Sequence, residues 1–273
     1  MANRKLDMGK AWVQATGLIG ANRDLVSVLA GIFLFIPFFV AILALMNSDI
    51  DLGGAGSQPD PEQIYAQIVA VMVDNWWALL LASIGQLCGG IAIITLLGDR
   101  SRPTVSEVLK RVPGLILPMF GLQLLVTLAT QGPSLLAERL PEMAAALAGF
   151  VLLPITLYLT VKFSLANAVI VLERRRNPLV AMRESWRLTK GNSFFLFAFM
   201  FMLGLLAVVI GLILTMIVGL VLAALGERGA MIGNAAFIAG IVATFYTLFY
   251  AVTVSIYHQL AGTVSQTEID LFD

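Results

Sequence analysis

An all-α, polytopic membrane fold is predicted by three observations. The 273-residue chain is 59% hydrophobic and only 12% charged, where soluble domains carry roughly a quarter charged residues. Its apolar residues gather into six runs, each near or above the roughly 20 residues that cross a bilayer as helix. Of the seventeen Lys and Arg residues, all but Arg139, Lys162 and Arg228 fall in the N-terminal segment or in every second connection after it. That asymmetry is the one that orients membrane proteins. A soluble fold of this length cannot hide so much apolar surface, so hydrocarbon is its natural solvent.

The six spans are read at 25–46, 76–97, 112–130, 143–172, 194–225 and 230–257. A kink is expected at Pro37, and Pro113, Pro118 and Pro154 fall within or at the edge of later spans. The fourth and fifth runs exceed the bilayer thickness, which implies tilt or helix continuing beyond it. The bases Arg4, Lys5, Lys10 and Arg23, then Arg100, Arg102, Lys110 and Arg111, then Arg174, Arg175, Arg176, Arg183, Arg187 and Lys190 mark the cytoplasmic side. Both termini are expected there, with a cytoplasmic tail over 258–273. Residues 1–24 lack an apolar core long enough for a cleavable signal peptide, so none is expected.

The external loop, 47–75, carries Asp49, Asp51, Asp60, Glu62 and Asp74 and no base. A Gly- and Pro-rich start gives way to a short helix expected over 62–73. Trp76 and Trp77 suit the aromatic belt at a membrane surface.

A short amphipathic stretch precedes the first, third and fifth spans. Its apolar stripes are Met8, Trp12, Ala15 and Ile19; Val105, Val108, Leu109 and Val112 after Pro103; and Leu179, Met182, Trp186 and Thr189 after Pro178. The spacing from Trp12 to Gly17 repeats from Trp186 to Gly191. A basic amphipathic helix bearing a Trp lies in the headgroup plane. The chain therefore reads as one membrane domain of three repeat-like units, about 5–97, 103–172 and 178–257, each an interfacial helix followed by a helical hairpin.

The stretch 161–192, VKFSLANAVIVLERRRNPLVAMRESWRLTKGN, resembles the signature of the bacterial glycerophosphoryl diester phosphodiesterase membrane-domain family and of the related YciC-like inner-membrane proteins. The matching positions are Lys162, Glu173, Pro178, Ala181, Ser185, Trp186, Leu188, Thr189 and Gly191. The resemblance implies a multi-pass module of the bacterial inner membrane without the soluble phosphodiesterase domain to which some members are fused. One histidine, His258, cannot supply the His and acidic cluster of such an enzyme.

Other chemistry finds little support. The lone Cys88 permits no internal disulfide, and a single histidine permits no His-rich metal site within one chain. No phosphate-binding loop, HExxH, GxSxG or GxGxxG occurs. No enzyme activity, cofactor, metal or nucleic-acid partner is expected.

The candidate residues fall into three sets. Arg174, Arg175, Arg176, Arg183, Trp186, Arg187 and Lys190 are candidates for lipid headgroups or for shaping an elbow at the membrane surface. Lys162, Gln86 and Gln123 are the intramembrane polar candidates. A charge at the bilayer centre costs about 2.5–3.5 kcal/mol on insertion scales, so Lys162 either reaches the headgroups or lines a cavity. Glu173, Pro178 and Gly191 are structural, with Glu173 expected to meet Arg183 or Arg187. Ala207, Gly211, Thr215, Gly219 and Ala223 form a small-residue stripe, expected to pack the fifth span against the sixth.

Two functions fit these features. One is a non-catalytic scaffold or accessory factor in membrane or envelope maintenance, touching anionic lipids and other membrane proteins or itself. The other is a transporter or lipid carrier with a cavity near Lys162.

Overall fold

The computed structural model describes residues 5–48, 61–99, 101, 103–137 and 139–262. Arg4, Arg100, Arg102, the loop acids Asp49, Asp51 and Asp60, and the tail beyond 262 lie outside the described residues. The regular structure of the described residues is entirely helical. In hydrocarbon each backbone N–H and C=O must be satisfied within its own segment, and the apolar runs accordingly become helices.

In chain order these are α1 (Met8–Ala21), α2 (Arg23–Ala30), a π turn (Gly31–Phe35), α3 (Ile36–Met46), α4 (Pro61–Asp74) and α5 (Trp76–Gly98). Then follow α6 (Val105–Ala137), α7 (Glu142–Phe163), α8 (Ala166–Leu172), α9 (Pro178–Thr189), α10 (Ser193–Leu222), a short 3-10 turn and α11 (Gly226–Ala261). Five stretches are long and apolar enough to cross a membrane: Arg23–Met46, Trp76–Gly98, Val105–Ala137, Met143–Leu172 and Ser193–Ala261.

The last of these, 69 residues long, folds back on itself. Gly226 sits at φ +76°, a left-handed conformation that breaks the helix and that glycine adopts without strain. Leu222 lies against Gly233, Asn234 against Gly219 and Ile241 against Gly211. Partners that move apart in sequence on either side of Gly226 define an antiparallel hairpin. The small-residue stripe thus meets α11 at Gly211 and Gly219, as expected.

Three expectations need revision. The amphipathic stretch 105–112 is not a separate interfacial helix: it forms the first turns of the single 33-residue helix α6, which runs through Pro113, Pro118 and Pro133. The run 143–172 is not one long helix: it breaks at Ser164–Leu165 into α7 and α8. The kink expected at Pro37 takes the form of the π turn just before it, where the Ile36 N–H bonds the Gly31 carbonyl. The helix expected at 62–73 is α4, and Asn75, donating to Ser48 Oγ at 3.0 Å, marks its junction with α5.

The chain divides into two compact units. The first comprises Met1–Val26, Gly90–Gly204 and Leu248–Asp273. Its core is the end of α5 (Ile91, Ile93, Ile94), α8 (Ala168, Val169, Ile170) and the end of α11 (Val252, Val254, Ile256), all fully buried. These segments are apolar on every side, the pattern of a helix enclosed by others. The second unit comprises Ser27–Gly89 and Leu205–Thr247. In it α3 meets α5 through Ala41, Ala78 and Ala82. A Cβ at Gly85 would fall 2.5 Å from the Phe33 carbonyl oxygen, the carbonyl to which Pro37 can offer no amide. Only glycine lets the two backbones approach so closely. By contrast α7 and α10 leave Phe150, Leu153, Leu212, Met216 and Leu220 exposed, a surface suited to hydrocarbon rather than water.

Candidate functional site

The residues that carry the sequence resemblance converge on the break between α7 and α8, within the first unit. Asn177 caps α9, its side-chain oxygen accepting from the Leu179 N–H at 3.0 Å. Pro178 occupies the first helical position, where its missing N–H costs nothing. Ala181, Ser185 and Thr189 then recur every fourth residue and are fully buried, one face of the helix pressed inward.

Ser185 joins α9 to the break. Its hydroxyl donates to the Lys162 carbonyl at 2.7 Å and accepts from the Leu165 N–H at 3.2 Å. A helix that stops leaves carbonyls without partners, and the helix that follows begins with amides in the same state. One hydroxyl serves both.

Trp186, the next residue, covers the Lys162 side chain. The ammonium lies 5.2 Å from the Trp186 ring centroid and 5.4 Å from that of Tyr158. Tyr158 and Trp186 meet edge to face at 5.6 Å. Lys162 is 3% exposed, so it neither reaches into solvent nor stands open at a surface. Two aromatic faces, each worth about 2 kcal/mol when desolvated, hold the charge together with the C-terminal dipole of α7, whose last turn it occupies. Among the described residues no carboxylate pairs with it.

Glu173 does not meet Arg183 or Arg187. It accepts from Arg175 Nε at 3.1 Å and from the Tyr257 hydroxyl at 3.0 Å, and so ties the end of α8 to the end of α11. Arg187 pairs instead with Glu184, three residues earlier on the outward face of α9, the shorter reach for a helical side chain. Gly191 turns the chain at φ +85°. Beyond it the buried Asn192 accepts from the Leu6 N–H at 2.8 Å, fixing the segment that leads into α1.

The bases of the elbow all face outward: Arg174, Arg175, Arg176, Arg183, Arg187 and Lys190 are exposed. Arg175 and Arg187 have carboxylate partners; Arg174, Arg176, Arg183 and Lys190 make no ion pair among the described residues. Arg174 takes a left-handed φ of +54°. The Arg175 N–H then reaches back to the Ile170 carbonyl at 3.1 Å, closing α8 with the turn that usually employs glycine.

A cleft of about 360 Å³ adjoins the elbow, lined by Thr95, Gly98, Asp99, Arg111, Val171, Leu172 and Arg174. Asp99 pairs with Arg111. The hydrogen bond from Arg111, with a second from the Ser101 N–H, holds the Asp99 carboxyl down at about 2. The C-terminal ends of α5 and α8 add negative dipole ends to the same cleft. Two guanidinium groups facing one carboxylate and two helix C-termini leave little net charge.

Of the three intramembrane candidates, Lys162 and Gln123 belong to the first unit and Gln86 to the second. Lys162 is enclosed as described. Gln86 belongs to the second unit, where it hydrogen-bonds Tyr246. Gln123 is exposed on α6. Sequence reasoning gave no role to Tyr158, Ser185, Asn192 or Asp99. Ser185 was signalled as a position of the resemblance, and Tyr158 by standing four residues from Lys162 and hence on its helix face.

The fold and the exposed apolar helices define a helical protein compatible with membrane insertion. The chain matches no protein-family model, no curated protein and no solved structure.

Proposed function

We propose that this chain is a non-catalytic module of the bacterial inner membrane, akin to the membrane-domain family its 161–192 stretch resembles, acting as a scaffold or accessory factor in envelope maintenance. The fold-back at Gly226 supports six spans, and the sorting of bases supports cytoplasmic termini. In this reading α1 and α9 are cytoplasmic interfacial helices, and the middle unit enters its span directly.

The observation that carries the proposal is the two-faced build of the elbow. Its inner face is closed by Ala181, Ser185 and Thr189, while its outer face presents six exposed bases. Bases near an anionic leaflet contribute about 1 kcal/mol each. Enclosure of Lys162 between two rings supports a packed structural role for it over a transport cavity there.

The test is the lipid that remains with the purified protein. Replacing Arg174, Arg175 and Arg176 together with Gln is expected to lower the ratio of anionic to zwitterionic lipid measured by mass spectrometry. An unchanged ratio would sink the headgroup role.

A further inference from the structure

The cleft beside the elbow gathers charges of both signs around an open volume of about 360 Å³, the size of a small-ligand pocket. It lies wholly within the first unit. Its positive part is Arg111 and Arg174. Arg174 makes no ion pair among the described residues, and the strained φ of +54° is borne by this same residue. Arg111 is held by Asp99, a pair that uses only part of a guanidinium's donors. Two guanidinium groups at one cleft suit a phosphate, whose oxygens accept parallel N–H bonds.

The rest of the lining is of opposite sign. Asp99 supplies a carboxylate, half-buried. The Leu172 side chain packs on Gly98, so the C-terminal ends of α8 and α5 meet at the cleft. Among the described residues no amide bonds the Val171 or Leu172 carbonyl, as is usual at a helix end. Open carbonyls and two negative dipole ends favour a cation. A simple anion would gain from Arg174 and be repelled by Asp99 and the helix ends; a simple cation would meet the reverse. A ligand that carries both charges a short carbon bridge apart satisfies both.

We propose that the cleft binds the phosphoethanolamine headgroup of a membrane phospholipid, with Arg174 and Arg111 on the phosphate and Asp99 and the helix-end carbonyls around the ammonium. The lipid source rests on the membrane role proposed for the chain, which puts this end of α5 and α8 at headgroup level. The preference for a zwitterion does not rest on the anionic-lipid role of the elbow.

The experiment uses the full-length protein in lipid-free detergent. It is titrated with short-chain phosphatidylethanolamine, phosphatidylcholine or phosphatidylglycerol, and bound lipid is counted by native mass spectrometry. Phosphatidylethanolamine is expected to bind about 10-fold or more tighter than phosphatidylglycerol, which lacks the ammonium and its charged hydrogen bonds. Phosphatidylcholine, whose quaternary ammonium donates no hydrogen bond, is expected to fall between them. Equal affinity for all three, or a preference for phosphatidylglycerol, would overturn the proposal. Soluble glycerophosphoethanolamine competing as tightly as the lipid binds would assign the cleft to a soluble phosphodiester and overturn the lipid source. Arg111→Gln and Asp99→Asn are each expected to abolish the preference for phosphatidylethanolamine. Lys110→Gln, which removes an exposed base next to Arg111 but outside the lining, is expected to keep it. A preference retained by both cleft variants, or lost with Lys110, would overturn the assignment of these residues. The headgroup series on the unaltered chain reports even where a cleft variant fails to fold. A chain that prefers phosphatidylethanolamine here yet shows no anionic excess among its retained lipids would sink the elbow's headgroup role and leave the cleft standing.

Discussion

In α1 the residues one before and three after the tryptophan, Ala11 and Ala15, are fully buried; in α9 the equivalent Ser185 and Thr189 are fully buried too. Trp12 and Trp186 are 39% and 38% exposed. The two helices thus share a register of burial, but not what the buried positions do. Ala11 and Ala15 bring methyl groups to their neighbours. Ser185 brings a hydroxyl that closes two open backbone groups, and Trp186 covers an ammonium, whereas among the described residues Trp12 covers none. Shared spacing therefore specifies which face is turned inward. The chemistry of α9 comes from the helix break beneath it.

The sharpest way to break this comparison is at the serine. Ser185→Ala leaves the Lys162 carbonyl and the Leu165 N–H unpaired in a buried place. At about 1–3 kcal/mol for each such group, the loss is expected to be about 2–6 kcal/mol. Ala11→Ser, the reciprocal change, is expected to cost under about 1 kcal/mol, because a helical serine can bond the carbonyl four residues back. Stability can be followed by thiol labelling on heating, since Cys88 is buried and is the chain's one cysteine. Equal losses at the two positions would show that the elbows are equivalent after all.

The tryptophans come next. Trp186→Leu removes one of the two rings from Lys162 and is expected to cost about 1–2 kcal/mol more than Trp12→Leu. The excess should vanish when Lys162 is first replaced with Met. A double-mutant cycle isolates that coupling, and a coupling of zero would mean that the rings pack on the lysine stem and ignore its charge.

Much of this architecture was legible in the sequence. Apolar runs specify helices in a bilayer because backbone groups have no other partner there; the Trp-to-Gly spacing is shared by α1 and α9 in sequence, but Gly17 lies inside α1 whereas Gly191 turns the chain after α9. The break at Ser164–Leu165 was hidden, because neither residue is a strong helix breaker and no Gly or Pro marks the run across it. Its cause lies twenty residues away in Ser185, a tertiary contact that no local pattern encodes. The partners of Glu173 were missed for the same reason, Tyr257 being 84 residues distant. The middle stretch misled in the opposite direction. Its stripe is real, with Val108 and Val112 buried, but no residue there stops the helix, so α6 runs on into its span.

The ends of the helices sharpen the comparison further. α1 ends at Asn22 with φ −123°, whereas α8 ends through Arg174 at φ +54°. A residue with a Cβ is strained by about 1–2 kcal/mol in the left-handed region. Arg174→Gly is therefore expected to raise stability by about 1 kcal/mol in the same labelling assay, while Asn22→Gly gains nothing. A destabilised Arg174→Gly would show that the guanidinium, beside Asp99 and Arg111 in the cleft, contributes more than the strain it imposes.

The smallest effect belongs to the middle unit, where the Asp99–Arg111 pair joins the end of α5 to the start of α6 in place of an elbow. The pair is partly exposed, so it is expected to contribute under about 1 kcal/mol. Its sign with pH is fixed. The Asp99 pKa falls from 3.8 unfolded to about 2 in the fold, chiefly through the Arg111 hydrogen bond. The contribution is then complete above the unfolded value and is lost as pH falls from about 4 toward 2. The difference in midpoint between the native chain and Asp99→Asn should be constant at higher pH and close across that window. Arg111→Gln removes the main cause of the shift and should raise the lower edge of the window. A difference that persists unchanged to pH 2 would mean that the carboxylate charge is not what joins these two helices.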